Sequence, residues 1–96
     1  MRHEIVLSPE AVNDLADLPA HVRSAVRDAM ETHLRHEPAR VSKSRIKRLR
    51  GLSRPQYRLR VGDVRVFYDV REGTVEVLAI VPKSAVEAWL KKAGET

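Results

Sequence analysis

Arg58, Arg60 and Arg65 lie in two runs of alternating residues, Tyr57-Arg58-Leu59-Arg60-Val61 and Val64-Arg65-Val66-Phe67-Tyr68, separated only by Gly62-Asp63. Alternation with period 2 places the arginines on one face of a β-sheet and the apolar residues between them on the other. A guanidinium is planar, permanently charged and able to bind an oxyanion with two donors at once, so arginines fixed on a rigid sheet form a candidate phosphate site.

The three belong to a larger block. Ten of the chain's eighteen Lys and Arg residues fall between Arg40 and Arg65, where Asp63 is the only acid, so the net charge of +5 is concentrated there. Lys43, Arg45, Lys47, Arg48 and Arg50 within it read most simply as a solvated charge run. The basic balance favours nucleic acid or an acidic protein partner over a membrane, because no helix joins a basic face to a strong apolar one. No apolar run approaches membrane-spanning length. The absence of cysteine excludes disulfide and thiolate chemistry and is compatible with a cytoplasmic location. The start of the chain shows no signal-peptide pattern. His33 and His36 are three apart, but no carboxylate or cysteine completes a metal set, so no metal is expected. No Ser-His-Asp order and no phosphate-binding glycine loop stands out.

The elements that must position these residues can be read in order. A strand at about His3 to Leu7 is followed by Ser8-Pro9, a helix N-cap with proline at the first helical position. Val12, Leu15 and Ala16 supply that helix's apolar stripe. A second helix is predicted from Ala20 to about His36, burying Val22, Ala25, Val26, Ala29, Met30, His33 and Leu34. Ser42 to Leu52 reads as a loop or a short strand. Strands follow at about Tyr57–Val61, Val64–Val70 and Thr74–Val81, with Gly62-Asp63 and Glu72-Gly73 as two-residue turns. Ser84 with Glu87 forms a capping-box pattern opening a final helix to about Ala93, in which Trp89 reads as a core contact. Residues 1–96 are expected to form one α+β domain: an antiparallel meander with an N-terminal strand, a helical hairpin packed on one face, and a short C-terminal helix.

Two-residue turns also predict register. Arg60 should lie opposite Arg65 and Arg58 opposite Phe67. Across the second hairpin, Phe67 should meet Leu78, Val66 should meet Ala79, and Arg65 should meet Ile80. The arginine face would then have Phe67, Leu78 and Ile80 as an apolar floor, at least partly open to a partner. Tyr57, Leu59, Val61, Val64, Val66, Tyr68, Val70, Val75, Val77, Ala79 and Val81 would face the helices. Like charges placed opposite each other cost stability. In a purely structural sheet both side chains would splay into water, or one of them would pair with Asp63, Asp69 or Glu76.

Arg48-Leu49-Arg50-Gly51, the hairpin from Tyr57 to Val70, and Val77-Leu78-Ala79-Ile80-Val81-Pro82-Lys83 together resemble the RelE/ParE toxin superfamily, in particular its RelE side, and the likeness extends over the whole chain. The resemblance implies a toxin of a type II toxin–antitoxin pair, neutralised by a cognate antitoxin. RelE-like members cut mRNA on the ribosome without metal or cofactor, whereas ParE-like members poison DNA gyrase. By position, the resemblance makes Arg58, Arg60, Arg65 and Lys83 the catalytic residues; arginine is more usual where Lys83 stands. The closing tyrosine of many members has no counterpart, Trp89 being the nearest aromatic.

Metal-free RNA cleavage requires the 2′-hydroxyl to attack the adjacent phosphorus while charge on the phosphate is stabilised and two protons are moved. The arginines suit charge stabilisation and cannot serve as bases. Lys83, ahead of the core-facing Tyr57 and Tyr68, is the candidate for proton transfer. Lys43, Arg45, Lys47, Arg48 and Arg50 become the expected contacts to ribosomal RNA. An acidic, amphipathic antitoxin segment is expected over Phe67, Leu78 and Ile80, or in place of the last helix. The rival readings are a gyrase poison without nuclease activity and a non-catalytic RNA-binding module.

Overall fold

A computed structural model describes residues 2–94. Strand β1 (Glu4–Leu7) runs into Ser8, which stays extended while its hydroxyl accepts from Ala11 N at 3.1 Å, opening α1 (Pro9–Ala16). Helix α2 (Ala20–Leu34) follows at once, ending two residues before the predicted stop. Strands β2 (Ile46–Arg48), β3 (Tyr57–Val61), β4 (Val64–Arg71) and β5 (Thr74–Pro82) come next. The sheet order is β1-β5-β4-β3-β2, with β1 parallel to β5 and every other pair antiparallel. A 3₁₀ turn (Lys83–Ala85) leads into α3 (Val86–Gly94).

The helical hairpin covers one face of the sheet. Ala11 and Leu15 of α1 and Val26, Met30 and Leu34 of α2 pack there against Leu59, Val64, Val66, Tyr68, Val75, Val77 and Ile80. Helix α3 lies on the opposite face, where Val86, Trp89 and Leu90 cover Phe67, Ala79 and Val81. Several expectations shift at this level. Ala11, not Val12, joins Leu15 in the core, and Val12 is exposed. Ala25 is exposed and His33 only half-buried on α2. Ser84 lies inside the 3₁₀ turn, whose cap position is Pro82 with no side-chain hydrogen bond, so the predicted capping box does not start the last helix there.

The first hairpin has the predicted register, with Arg60 opposite Arg65 and Arg58 opposite Phe67. Gly62 takes φ +56° in its turn, the left-handed value that a two-residue hairpin loop asks of glycine. The second hairpin begins as predicted, with Arg71 opposite Thr74 and Tyr68 opposite Val77. Between Tyr68 and Phe67 a β-bulge then absorbs Leu78, so that Phe67 meets Ala79, Val66 meets Ile80 and Arg65 meets Val81. One extra residue sends every later side chain of β5 to the other face. Ile80 therefore enters the helix-side core, while Ala79 and Val81 turn to the arginine face, the reverse of the expected arrangement.

Helix α1 supplies partners for the bulge's backbone. The Ser8 hydroxyl donates to Leu78 O at 2.9 Å, and Ile80 N donates to Asp14 Oδ2 at 2.9 Å. Asp14→Ala leaves the Ile80 N–H without its acceptor and is expected to cost about 1–3 kcal/mol in a urea titration. Asp14→Asn keeps an acceptor oxygen and should recover most of that loss.

Candidate functional site

The face under α3 is sorted by charge along its strands. Successive cross-strand rows carry Arg60, Arg65 and Val81, then Lys47, Arg58, Phe67 and Ala79, then Asp69 and Glu76. The predicted cluster of Arg58, Arg60 and Arg65 is thus real. Lys47, expected from sequence as a solvated residue and RNA contact but not as part of this cluster, sits directly opposite Arg58 on the same face.

The arginines differ in how they are held. Arg65 is 8% exposed, and its NH1 donates back to Gly62 O at 2.7 Å and Val64 O at 3.1 Å. Its guanidinium is thereby fixed beside the turn. Arg60 is exposed. Arg58 is half-buried, and its Nε is buried without a hydrogen-bond partner. Burial, with the charges of Arg65 and Arg60 behind it, pushes the Arg58 pKa down from its usual value. The group remains a cation at neutral pH, so a buried donor and an excess of positive charge coincide at one place.

Two of the three acids that a purely structural sheet would offer these arginines, Asp69 and Glu76, are engaged elsewhere. Arg54 Nε donates to Asp69 Oδ2 at 2.6 Å, and its NH2 donates to Glu76 Oε1 at 2.7 Å. Among the described residues no salt bridge reaches Arg58, Arg60 or Arg65. Arg54 was not singled out in the sequence, because its partners lie 15 and 22 residues away.

Proton-transfer candidates narrow as well. The Tyr68 phenol donates to Pro38 O at 2.6 Å, and burial pushes its pKa up, so it stays protonated in the core. Tyr57 stacks on the Tyr68 ring with centroids 5.5 Å apart, and the Arg48 guanidinium lies 5.1 Å from its ring centre. Lys83 is exposed just past β5, where its backbone N donates to Asp63 O at 2.7 Å. That bond ties it to the turn that also holds Arg65.

Phe67, Leu78 and Ile80 do not form the open patch expected of them. Phe67 is fully buried under the Trp89 ring, stacked at 4.7 Å, and Ile80 is in the opposite core. Leu78 alone is partly accessible, in a cleft of about 290 Å³ with Pro55, Trp89 and Arg54. Trp89 packs on the core, as its sequence context predicts.

Lys43, Arg45, Lys47, Arg48 and Arg50 are all exposed but do not share a face: Arg48 covers Tyr57 while Lys47 joins the arginines. Arg45 lines a cleft of about 430 Å³ with His33, His36, Glu37 and Arg40. Burial, and then the charge of Arg45, lowers the His33 pKa from the usual 6.5. Arg45→Ala should raise it, as a histidine NMR titration would show. Because the folded value lies below the unfolded one, His33 contributes stability that is complete above pH 6.5 and is lost as pH falls toward the folded pKa. Removing Arg45 should shrink that loss. Among the described residues no group of three or more metal-ligating side chains comes together.

A family model of the ParE toxin of type II toxin–antitoxin systems, parDE, matches residues 5–86. The chain is similar to the archaeal RelE–RelB complex of Pyrococcus horikoshii at 26% identity and a TM-score of 0.70, covering 86% of this chain and 97% of that one. It is similar to the toxin–antitoxin complex RelBE2 of Mycobacterium tuberculosis at 26% identity and 0.73, covering 85% and 99%. A mutant of the E. coli toxin RelE in the free state shares the fold, at 18% identity and 0.71, with 98% and 95% covered. No curated protein matches the chain.

Proposed function

The chain belongs to the ParE toxin family of type II toxin–antitoxin systems, and on that premise we propose that it is a ribosome-dependent mRNA endoribonuclease held inactive by a cognate antitoxin. One observation carries the phosphate-binding part of this reading: Arg58, Arg60 and Arg65 share a face, among the described residues no salt bridge reaches them, and a donor of Arg58 is buried without a partner. Folding alone gives no reason to keep that arrangement, since like charges and an unpaired buried donor both cost stability. A phosphodiester docked on this face supplies the missing negative charge.

In this reading the 2′-oxygen attacks phosphorus and the bond to the 5′-oxygen breaks, leaving a cyclic phosphate and a 5′-hydroxyl. Arg58, Arg60 and Arg65 bind the phosphate oxygens whose charge grows in the transition state. Arg65, locked to two carbonyls, acts as a fixed positive wall, and Arg58 adds its charge beside it. Lys83 moves protons at the sheet end, and the ribosome supplies in-line geometry. Lys43, Arg45, Lys47 and Arg50 contact ribosomal RNA around the β2 edge. No helix among the described residues is long and apolar enough to cross a membrane, and a ribosomal target places the protein in the cytoplasm.

The toxin–antitoxin complexes among the similar structures support an antitoxin partner. Its acidic segment would neutralise the arginine face, entering beside Leu78 or displacing α3 from Phe67. The gyrase reading is the alternative, favoured by the ParE family match and by the packing of Trp89 into the core in place of a free closing aromatic. Inducing the protein in growing cells separates them. A halt in amino-acid incorporation with normal plasmid supercoiling supports the nuclease, and gyrase-dependent DNA breaks with continued incorporation support the alternative.

A further inference from the structure

Asp69 and Glu76 stand opposite each other on the same sheet face as the arginines. Asp69 is two residues beyond Phe67 on β4, and Phe67 lies opposite Arg58, so Asp69 is the diagonal neighbour of Arg58 on that face. Such neighbours are about 7–8 Å apart at the backbone, within reach of a long side chain. An arginine with an unpartnered buried Nε beside a carboxylate would ordinarily close on it.

It does not, because the carboxylate is held from the other side. Arg54 Nε binds Asp69 Oδ2 at 2.6 Å, and Gln56 N binds Asp69 Oδ1 at 2.8 Å. The same guanidinium reaches Glu76 at 2.7 Å. The Asp69 side chain is 4% exposed and that of Arg54 is 51% exposed, so the acid is fixed in the sheet while the cation lies over it. The charges that perturb Arg58 are those of Arg65 and Arg60.

We propose that Arg54 is a positioning residue for the phosphate site: by engaging Asp69 and Glu76 it keeps both acids away from Arg58 and leaves the arginine face available to RNA. The proposal rests on the RNA-binding reading above. Loss of Arg54 frees Asp69 to pair with Arg58, and the new internal ion pair competes with phosphate. A residue that never touches RNA thereby sets the affinity for it.

The test uses a short 2′-O-methyl RNA, which cannot be cleaved, and reads binding by fluorescence anisotropy alongside circular dichroism of each variant. Arg54→Gln should weaken binding about tenfold, roughly 1.4 kcal/mol, and Arg54→Gln with Asp69→Asn should restore it. Unchanged binding in folded Arg54→Gln overturns the proposal. Weakened binding that Asp69→Asn does not restore overturns it too, and makes Arg54 a direct RNA contact or a purely structural group. Should Arg54→Gln fail to fold, Arg54→Lys serves instead, since a single ammonium cannot hold Asp69 and Glu76 with the two arms that the guanidinium uses. It should weaken binding, with Asp69→Asn restoring it, and wild-type affinity in folded Arg54→Lys contradicts the proposal. A wild-type protein that does not bind this RNA removes the RNA-binding reading and the proposal with it, whereas normal wild-type binding with an indifferent Arg54 removes the proposal alone.

Discussion

Arg58→Met is expected to lower RNA binding and toxicity by about a hundredfold or more while leaving the protein at least as stable as before. Methionine fills the aliphatic part of the site without the charge. Its introduction removes a buried Nε that has no acceptor and relieves the repulsion from Arg65 and Arg60. An unsatisfied buried donor costs on the order of 1–3 kcal/mol, so stability should rise within that range. Function moves the other way, because removing one preorganised donor from a charge-stabilising site typically costs about 10²–10³ in rate. Binding measured against salt should show a shallower slope than wild type, since one phosphate contact is gone. Urea titration gives the other half of the comparison. A variant that loses stability and keeps its affinity would make Arg58 a structural residue.

The second large effect tests the bulge. Ile80→Ala should cost about 2–4 kcal/mol, the range for removing most of a buried isoleucine from a core. Leu78→Ala should cost well under half of that, because Leu78 is only partly buried. The register expected from the turn alone gives no such asymmetry, since it places both residues on the arginine face. Equal losses at the two positions would contradict the bulge.

The limits of the sequence are visible in the same two strands. A two-residue turn fixes pairing locally, so Arg60 against Arg65 and Arg58 against Phe67 follow from Gly62-Asp63 alone. The second turn fixes pairing as far as Tyr68 and Val77. Beyond that, the register depends on Ser8 and Asp14, 70 and 66 residues away, whose side chains bind the bulge's backbone. No glycine or proline marks Leu78. Arg54 was hidden for the same reason: a cation in a basic run is indistinguishable from its neighbours until the fold brings Asp69 and Glu76 beneath it. Val12 was misplaced because a helix of 8 residues leaves room for more than one apolar stripe, and packing against β5 selects Ala11 and Leu15. Lys47 was read as an RNA contact but not as a neighbour of Arg58, since Ile46-Lys47-Arg48 is too short to show alternation.

The arginine face would be equally basic in a gyrase poison, so binding and stability measurements alone do not decide the target. Primer extension on a message translated in a cell-free extract does. Wild-type protein should generate new 5′ ends within the translated reading frame, absent when translation is blocked and absent with Arg58→Met. Intact message together with trapped gyrase–DNA breaks would contradict the account.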